Sequence, residues 1–200
     1  DENNQVSFGL VADLSYHNPY MSPFDEMQRL KTHPVIKNVL EGGKRISYGA
    51  RALTKGGLNS LPKFTFPGGV LVGDDAGFLN PAKIKGTHTS MKSGMLAAEA
   101  IFEAVQADRQ HDEVVAYTTM YKESWLYQDN YESRNFSPAI HRMGLFMGGA
   151  FTFIEHNLLK GKMPFTLHDN LPDYDQLERA NHAYQPTYLK PDGKLVFDKL

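Results

Sequence analysis

The period of hydrophobic and polar positions changes several times along the chain. Val6, Phe8, Leu10, Ala12 and Leu14 alternate with Ser7, Gly9, Val11 and Asp13. That period of two predicts a strand over residues 6–14 with one buried face. His17-Asn18-Pro19-Tyr20 reads as a turn. Ser22-Pro23-Phe24-Asp25 then opens a helix: serine caps it, proline fits the first helical position, and Asp25 sits at the positive end of the peptide dipoles. Phe24, Met27 and Leu30 keep helical spacing until Pro34 halts the run near Thr32. A second short helix over residues 35–41 carries Val35, Ile36, Val39 and Leu40 and ends at Gly42-Gly43.

Residues 45–53 read as extended, and Gly56-Gly57 and Leu61-Pro62 as loops. Val70-Leu71-Val72 is a continuous apolar run, which predicts a parallel strand buried on both faces. A helix over residues 86–107 follows, with Met91, Met95, Ala98, Phe102 and Val105 as its expected buried stripe and Lys92, Glu99, Glu103 and Gln106 in water. Ser90, Ser93, Gly94 and Ala97 are small enough to let a neighbouring backbone come close. A longer helix is predicted over 112–133, before Pro138. Met143 to Ile154 reads as core, and beyond Gly161 the Asp-, Pro-, Asn- and Tyr-rich composition predicts sparse regular structure.

Composition narrows the class. The hydrophobic fraction is 41% and the charged fraction 22%, which is globular rather than disordered. Ten tyrosines, twelve phenylalanines and Trp125 supply enough area to offset chain entropy. A net charge of −2 gives no basic footprint for nucleic acid. Without cysteine the chain holds no disulfide, thiolate nucleophile or cysteine-ligated metal. The longest apolar stretch, Met143 to Ile154, is too short to span a bilayer and contains three glycines, so an integral membrane protein is excluded. The start at Asp1, with no signal-like run, reads as an excised piece.

The segment that carries chemistry is Gly68 to Asn80, followed by the predicted helix. Gly73 lets the chain turn without a side chain in the way. Asp74, at the end of a strand, sits where open α/β sheets bind ligands, and its carboxylate can accept a hydrogen bond from a sugar or ribityl hydroxyl. The helix start at Gly86-Thr87-His88-Thr89 points unpaired N–H groups and about half a positive charge back at the loop. Lys83 and Lys85 add to it. A capped turn between strand and helix would leave the same residues. A magnesium pair at Asp74-Asp75 is a third reading, without the lysine–serine phosphate loop that accompanies such pairs.

Lys83-Ile-Lys-Gly-Thr-His-Thr-Ser-Met-Lys-Ser-Gly-Met-Leu-Ala-Ala-Glu-Ala100, directly after the Gly-Asp segment, resembles the electron transfer flavoprotein–ubiquinone oxidoreductase family. Gly9 to Phe24, Glu41 to Leu53, Gly56 to Pro62 and the tail Lys190 to Lys199 agree with that family in order. The resemblance implies a mixed α/β (α+β) chain: part of a glutathione-reductase-like FAD domain plus part of a ubiquinone-binding domain. It places a partial ubiquinone-binding domain at 1–57, the C-terminal part of the FAD domain at 58–158, and a lead-in to the iron–sulfur domain at 159–200. It implies electron flow from reduced electron transfer flavoprotein, through a [4Fe–4S] cluster and FAD, to ubiquinone. The setting would be a peripheral one on the inner membrane, at the bacterial cytoplasmic or mitochondrial matrix face.

The family's N-terminal Gly-x-Gly-x-x-Gly segment and its cluster cysteines have no counterpart here, so the chain reads as a fragment, inactive alone and unable to hold FAD tightly. The cofactor-binding residues implied are Gly73, Asp74, Gly86, Thr87, Asn59 and His88, with no catalytic acid, base or nucleophile and no metal ligand. Asn59 also fits a turn that bonds its own backbone, and His88 a structural residue of a first helical turn. The helices at 23–32 and 35–41, ringed by Lys31, Lys37, Lys44 and Arg45, fit either insertion among anionic headgroups or core packing. An NAD(P)H-dependent flavin reductase or hydroxylase of the geranylgeranyl-reductase type shares the Gly-Asp turn and is the alternative enzyme.

Overall fold

The computed structural model describes residues 2–169 and 172–199. The chain divides into two compact units: Asp1–Ala50 with Asn170–Leu200, and Arg51–Asp169. Among the described residues it is helix-rich, with one small sheet.

The first unit is built on two short helices, α1 (Pro23–Lys31) and α2 (Pro34–Leu40). Both begin on proline, as the sequence predicts. Ser22 Oγ accepts from the Asp25 amide at 3.3 Å, a cap worth about 1 kcal/mol. The rest of the unit is irregular and is held by long-range polar contacts. The Ser22 amide donates to Tyr188 Oη at 3.0 Å, and that hydroxyl donates to Glu26 at 3.2 Å. Buried Gln28 accepts from the Phe197 amide at 3.0 Å, and Asn18 donates to the Tyr184 carbonyl at 2.7 Å.

The strand expected over 6–14 is absent: these residues take no regular structure, and Val11 is 77% exposed. Alternation marks a strand only where a neighbour supplies ladder hydrogen bonds, and the described sheet pairs only β-strands of the second unit. Residues 45–53 likewise form no strand. Past Gly161 the only regular element among the described residues is a short 3₁₀ turn at Asp173–Gln176, as the composition predicts.

The second unit holds the sheet and the longer helices. β1 (Thr65–Phe66) and β2 (Gly69–Val70) form an antiparallel pair with Thr65 opposite Val70. The parallel strand expected at Val70-Leu71-Val72 is therefore corrected: only Val70 is in a strand, its partner is a hairpin neighbour, and Val72 lies at the surface. An apolar run of three is too short to separate a buried parallel strand from the edge of a hairpin.

Four helices follow: α3 (Thr87–Gln106), α4 (Val115–Glu123), α5 (Trp125–Glu132) and α6 (Phe136–Asn157). The helix expected over 112–133 is two, because Ser124 is extended, at φ −87° and ψ 159°, and its hydroxyl donates to the Tyr121 carbonyl at 2.7 Å.

The core is aromatic at its centre and small-residue at its edge. Phe64 meets Phe78, Tyr117 and Tyr121 edge-on, at centroid distances of 5.5, 5.3 and 5.3 Å. Burial pushes the Tyr117 and Tyr121 hydroxyls up to about 12, so both stay neutral. Against this cluster α3 turns Ser93, Leu96, Ala97, Ala100 and Ala104. The expected stripe of Met91, Met95, Ala98, Phe102 and Val105 is the opposite face and lies exposed, Met91 at 66%. Small side chains win the core position because they bring two backbones together, which a stripe of large ones prevents.

The stretch Met143 to Ile154, expected in the core, is also largely outside. Helix α6 breaks at Gly144 (φ 73°, ψ 176°), and Phe146 beside the break is 90% exposed. The second half folds back until Gly148 meets the first: a Cβ there would stand 2.7 Å from the Ala139 carbonyl oxygen.

Candidate functional site

The loop after β2 is strapped to α3. Gly73 adopts φ +60°. Its amide donates to Ser93 Oγ at 2.9 Å, and a Cβ at this position would lie 3.1 Å from Ser90 Oγ. The loop therefore lies against the first two turns of α3. Its own turn is closed by the Gly77 amide on the Asp74 carbonyl at 2.9 Å and the Phe78 amide on the Gly73 carbonyl at 3.1 Å. Phe78, fully buried, fastens the loop to the aromatic core, and Asp74 stays half-buried.

Helix α3 starts from Gly86, and no side chain caps it. The Gly86 carbonyl accepts from the Ser90 amide and from Thr89 Oγ1, both at 2.8 Å. Thr87 is exposed. The first amides of this 20-residue helix thus form a positive end beside a loop that carries a carboxylate.

The other two expected residues are engaged elsewhere. Asn59 Nδ2 donates to the Arg134 carbonyl at 2.8 Å and the Leu167 carbonyl at 3.1 Å. The His88 ring stacks on Trp125 at 5.9 Å, and its Nε2 lies 3.6 Å from Asp129. Among the described residues no group of three or more His, Cys, Asp or Glu side chains is placed to hold a metal ion, so Asp74-Asp75 finds no further ligand.

Asp129 is the hub that sequence reasoning missed. It accepts from Asn80 Nδ2 at 2.8 Å and from Lys83 Nζ, beside His88. Asn80 Oδ1 in turn accepts from the amides of Ala82 at 3.0 Å and Lys83 at 3.1 Å, fixing the approach to α3. Burial pushes the Asp129 carboxyl up, but Lys83, Asn80 and His88 together outweigh it and hold it below its ordinary 3.8. A carboxyl lowered by folding stabilises the fold at neutral pH, and that contribution is lost as pH falls through its folded value. Thermal unfolding of Asp129→Asn should lose less midpoint temperature than the parent between about pH 5 and about pH 2. Parallel curves would refute the hub. Nothing local marked Asp129, since its partners lie 46 and 49 residues away in the chain.

Arg134, also missed, is buried and bonds five groups. Its guanidinium donates to the carbonyls of Tyr131 (2.8 Å), Gly161 (2.7 Å), Met163 (2.7 Å) and Phe165 (3.4 Å) and to Thr166 Oγ1 (3.1 Å). It lies over the Tyr131 ring at 3.8 Å. Beside it, buried Asn135 donates to buried Glu155 at 2.6 Å and accepts from the Leu167 amide at 2.7 Å.

The family described as ETF-QO, ubiquinone-binding matches residues 1–53. The electron transfer flavoprotein-ubiquinone oxidoreductase of Pseudomonas aeruginosa is 62% identical over 200 residues, which is 100% of this chain and 36% of that protein. Along its whole length the chain is similar to a segment of the electron transfer flavoprotein–ubiquinone oxidoreductases. A probable electron transfer flavoprotein-ubiquinone oxidoreductase of Acinetobacter baylyi is 58% identical over 217 residues, covering 100% of this chain and 38% of its own. The mitochondrial electron transfer flavoprotein-ubiquinone oxidoreductase of Homo sapiens is 46% identical over 201 residues, covering 98% and 33%. The chain thus spans about a third of the length of these relatives. These relatives do not support the alternative as a reductase of the geranylgeranyl-reductase type. Among the described residues no helix is long and apolar enough to cross a membrane.

Proposed function

We propose that this chain forms part of an enzyme that passes electrons from reduced electron transfer flavoprotein, through a [4Fe–4S] cluster and FAD, to ubiquinone. The observation that carries this reading is identity of 62% along the whole chain with an oxidoreductase of that name. In it, residues 1–57 are part of the ubiquinone-binding domain, 58–158 the C-terminal part of a glutathione-reductase-like FAD domain, and 159–200 the approach to the cluster domain. The enzyme sits peripherally on the inner membrane, at the bacterial cytoplasmic or mitochondrial matrix face. Exposed Val35 and Val39 on α2, with Lys37 between them, support a membrane-facing surface there. Flotation of the enzyme with liposomes should weaken in Val35→Glu, and undiminished flotation would count against this surface.

The residues of the Gly73–Thr87 region fit a flavin. The uncapped start of α3 would offer amides and the Thr87 hydroxyl to a ring edge, Asp74 could accept from a ribityl hydroxyl, and Gly73 and Gly86 set the loop close against Ser90 and Leu79. His88 follows Thr87 in the first turn of α3, and a flavin role for it or for Asn59 would require each to leave the partners it now holds. The cluster is different: with no cysteine, this chain supplies it no thiolate. FAD, when bound, supplies the one-electron chemistry. The part played by this chain is electrostatic. With FAD held here, the Thr87 hydroxyl and the α3 amides would set fixed positive dipoles toward the ring and so favour its reduced form.

Replacing the matching segment of the Pseudomonas aeruginosa relative with this chain tests the reading. The hybrid should reduce ubiquinone with electrons from reduced electron transfer flavoprotein, and a folded, flavin-loaded hybrid without that activity would overturn it. In the same hybrid, Thr87→Ala removes a donor worth about 1–3 kcal/mol and should lower the flavin potential by several tens of millivolts. An unchanged potential would remove Thr87 from the flavin edge.

A further inference from the structure

Helix α2 ends at Leu40, and the chain turns through Glu41-Gly42-Gly43 into Lys44 and Arg45. Opposite runs the loop from Asp192 to Phe197. Between these stretches lies a cavity of about 740 Å³, well inside the size of small-molecule sites. Lys37, Lys44, Arg45 and Lys194 line it, and Lys31 borders it through a contact of 3.3 Å with the Leu195 carbonyl.

Two carboxylates share the cavity, and both are committed. Glu41 pairs with Lys37 at 3.6 Å. Asp192 accepts the amides of Lys194, Leu195 and Val196 at 2.8, 2.9 and 2.9 Å, and these bonds hold its carboxyl below the ordinary value. Among the described residues no carboxylate lies within ion-pair distance of Lys44, Arg45 or Lys194. The Arg45 guanidinium rests over the rings of Phe197 at 4.2 Å and Tyr48 at 5.2 Å, contacts that orient it without cancelling its charge. Burial, and then Arg45 itself, push the Lys31 ammonium below its usual value. Like charges have thus been gathered around one opening in a chain whose net charge is −2.

We propose that this cavity binds a phosphate-bearing anion, with Lys44, Arg45 and Lys194 as its cationic contacts. The planar guanidinium matches two phosphate oxygens at once, while the lysines act as adjustable point charges. Gly42 and Gly43 leave the wall beside them without side chains, and Leu40, Val196 and Phe197 offer apolar surface to whatever the phosphate is attached to. The phosphate can come from a soluble ester or from a phospholipid headgroup.

Calorimetric titration of the full 200-residue chain with inorganic pyrophosphate at low salt, and sedimentation with vesicles of phosphatidylglycerol in phosphatidylcholine, form the two arms. Among the described residues Lys44 and Lys194 make no ion pair, so the double variant Lys44→Glu, Lys194→Glu should melt like the parent. It should bind either probe at least roughly tenfold more weakly, as the loss of two charge-assisted contacts requires. Lys122→Glu, on the surface of α4, should match the parent. Saturable pyrophosphate binding that the double variant loses supports the site with a soluble ligand. Vesicle binding that the double variant loses, with pyrophosphate failing to compete, supports it with a headgroup. Absence of saturable binding in both arms overturns the proposal, as does a double variant that binds like the parent.

Discussion

Arg134→Ala should lower the unfolding free energy by about 3–5 kcal/mol, the large end of single-substitution effects, because it strips the donor from several buried acceptors at once. The guanidinium satisfies four carbonyls and a hydroxyl, and three of those carbonyls belong to the irregular stretch Gly161 to Phe165. Truncation leaves acceptors that either stay dry, at about 1–3 kcal/mol each, or reach water by letting the stretch peel away. Peeling limits the total, so the separate costs do not simply add. For a chain of this length the loss corresponds to a fall in melting temperature of about 10 °C. Arg134→Lys should recover only part, because one ammonium cannot span carbonyls on both sides of a planar fork. Thermal unfolding followed by circular dichroism checks both variants. A fall under about 1 kcal/mol for Arg134→Ala, the level of an ordinary surface change, would mean that the stretch is held by something else.

Phe78→Ala is the second large effect, at about 3–5 kcal/mol for removing a buried aromatic ring. Phe78 is fully buried against Phe64 at 5.5 Å and Tyr121 at 5.0 Å. Its consequence reaches the candidate site, because the Phe78 amide closes the turn on the Gly73 carbonyl. Loss of the ring removes the weight that keeps the loop against α3. Amide hydrogen exchange should therefore quicken at Gly73, Gly77 and Phe78 more than along α4. Uniform quickening in both places would show that the loop is not specifically fastened by this ring. Phe78→Leu, which keeps much of the volume, should retain most of the protection.

Signals that act within a few residues were legible in the sequence. Ser22 and Pro23 fix the start of α1 whatever surrounds them, and Gly42 with positive φ closes the stretch after α2. The boundaries of α3 were legible for the same reason. The face it buries was not. Ser93, Ala97, Ala100 and Ala104 repeat with helical spacing as well as Met91, Met95 and Phe102 do, and hydrophobicity alone ranks the larger side chains first. Choosing between them needs the neighbour, and the neighbour is α4, whose Tyr117 and Tyr121 require a close, flat partner. Strands were misread on the same ground: an alternating stretch such as 6–14 becomes a strand only beside another. At the candidate site, Gly73 and the uncapped start of α3 were legible, since glycine conformation and helix polarity are local properties. Asp129 and Arg134 were not, because a buried polar hub is defined by partners distant in sequence.

The contacts of the first unit set a timetable for biosynthesis. Ser22 and Tyr188 stand 166 residues apart, and Gln28 waits for the Phe197 amide across 169. At about 5–20 residues per second on the ribosome, α1 and α2 must pass on the order of ten to thirty seconds before their partners exist. Helices of nine and seven residues are marginal alone. Residues 51–169 pack around an aromatic core of their own, so they can settle during translation, while the early segment is left for residues 172–199 to secure.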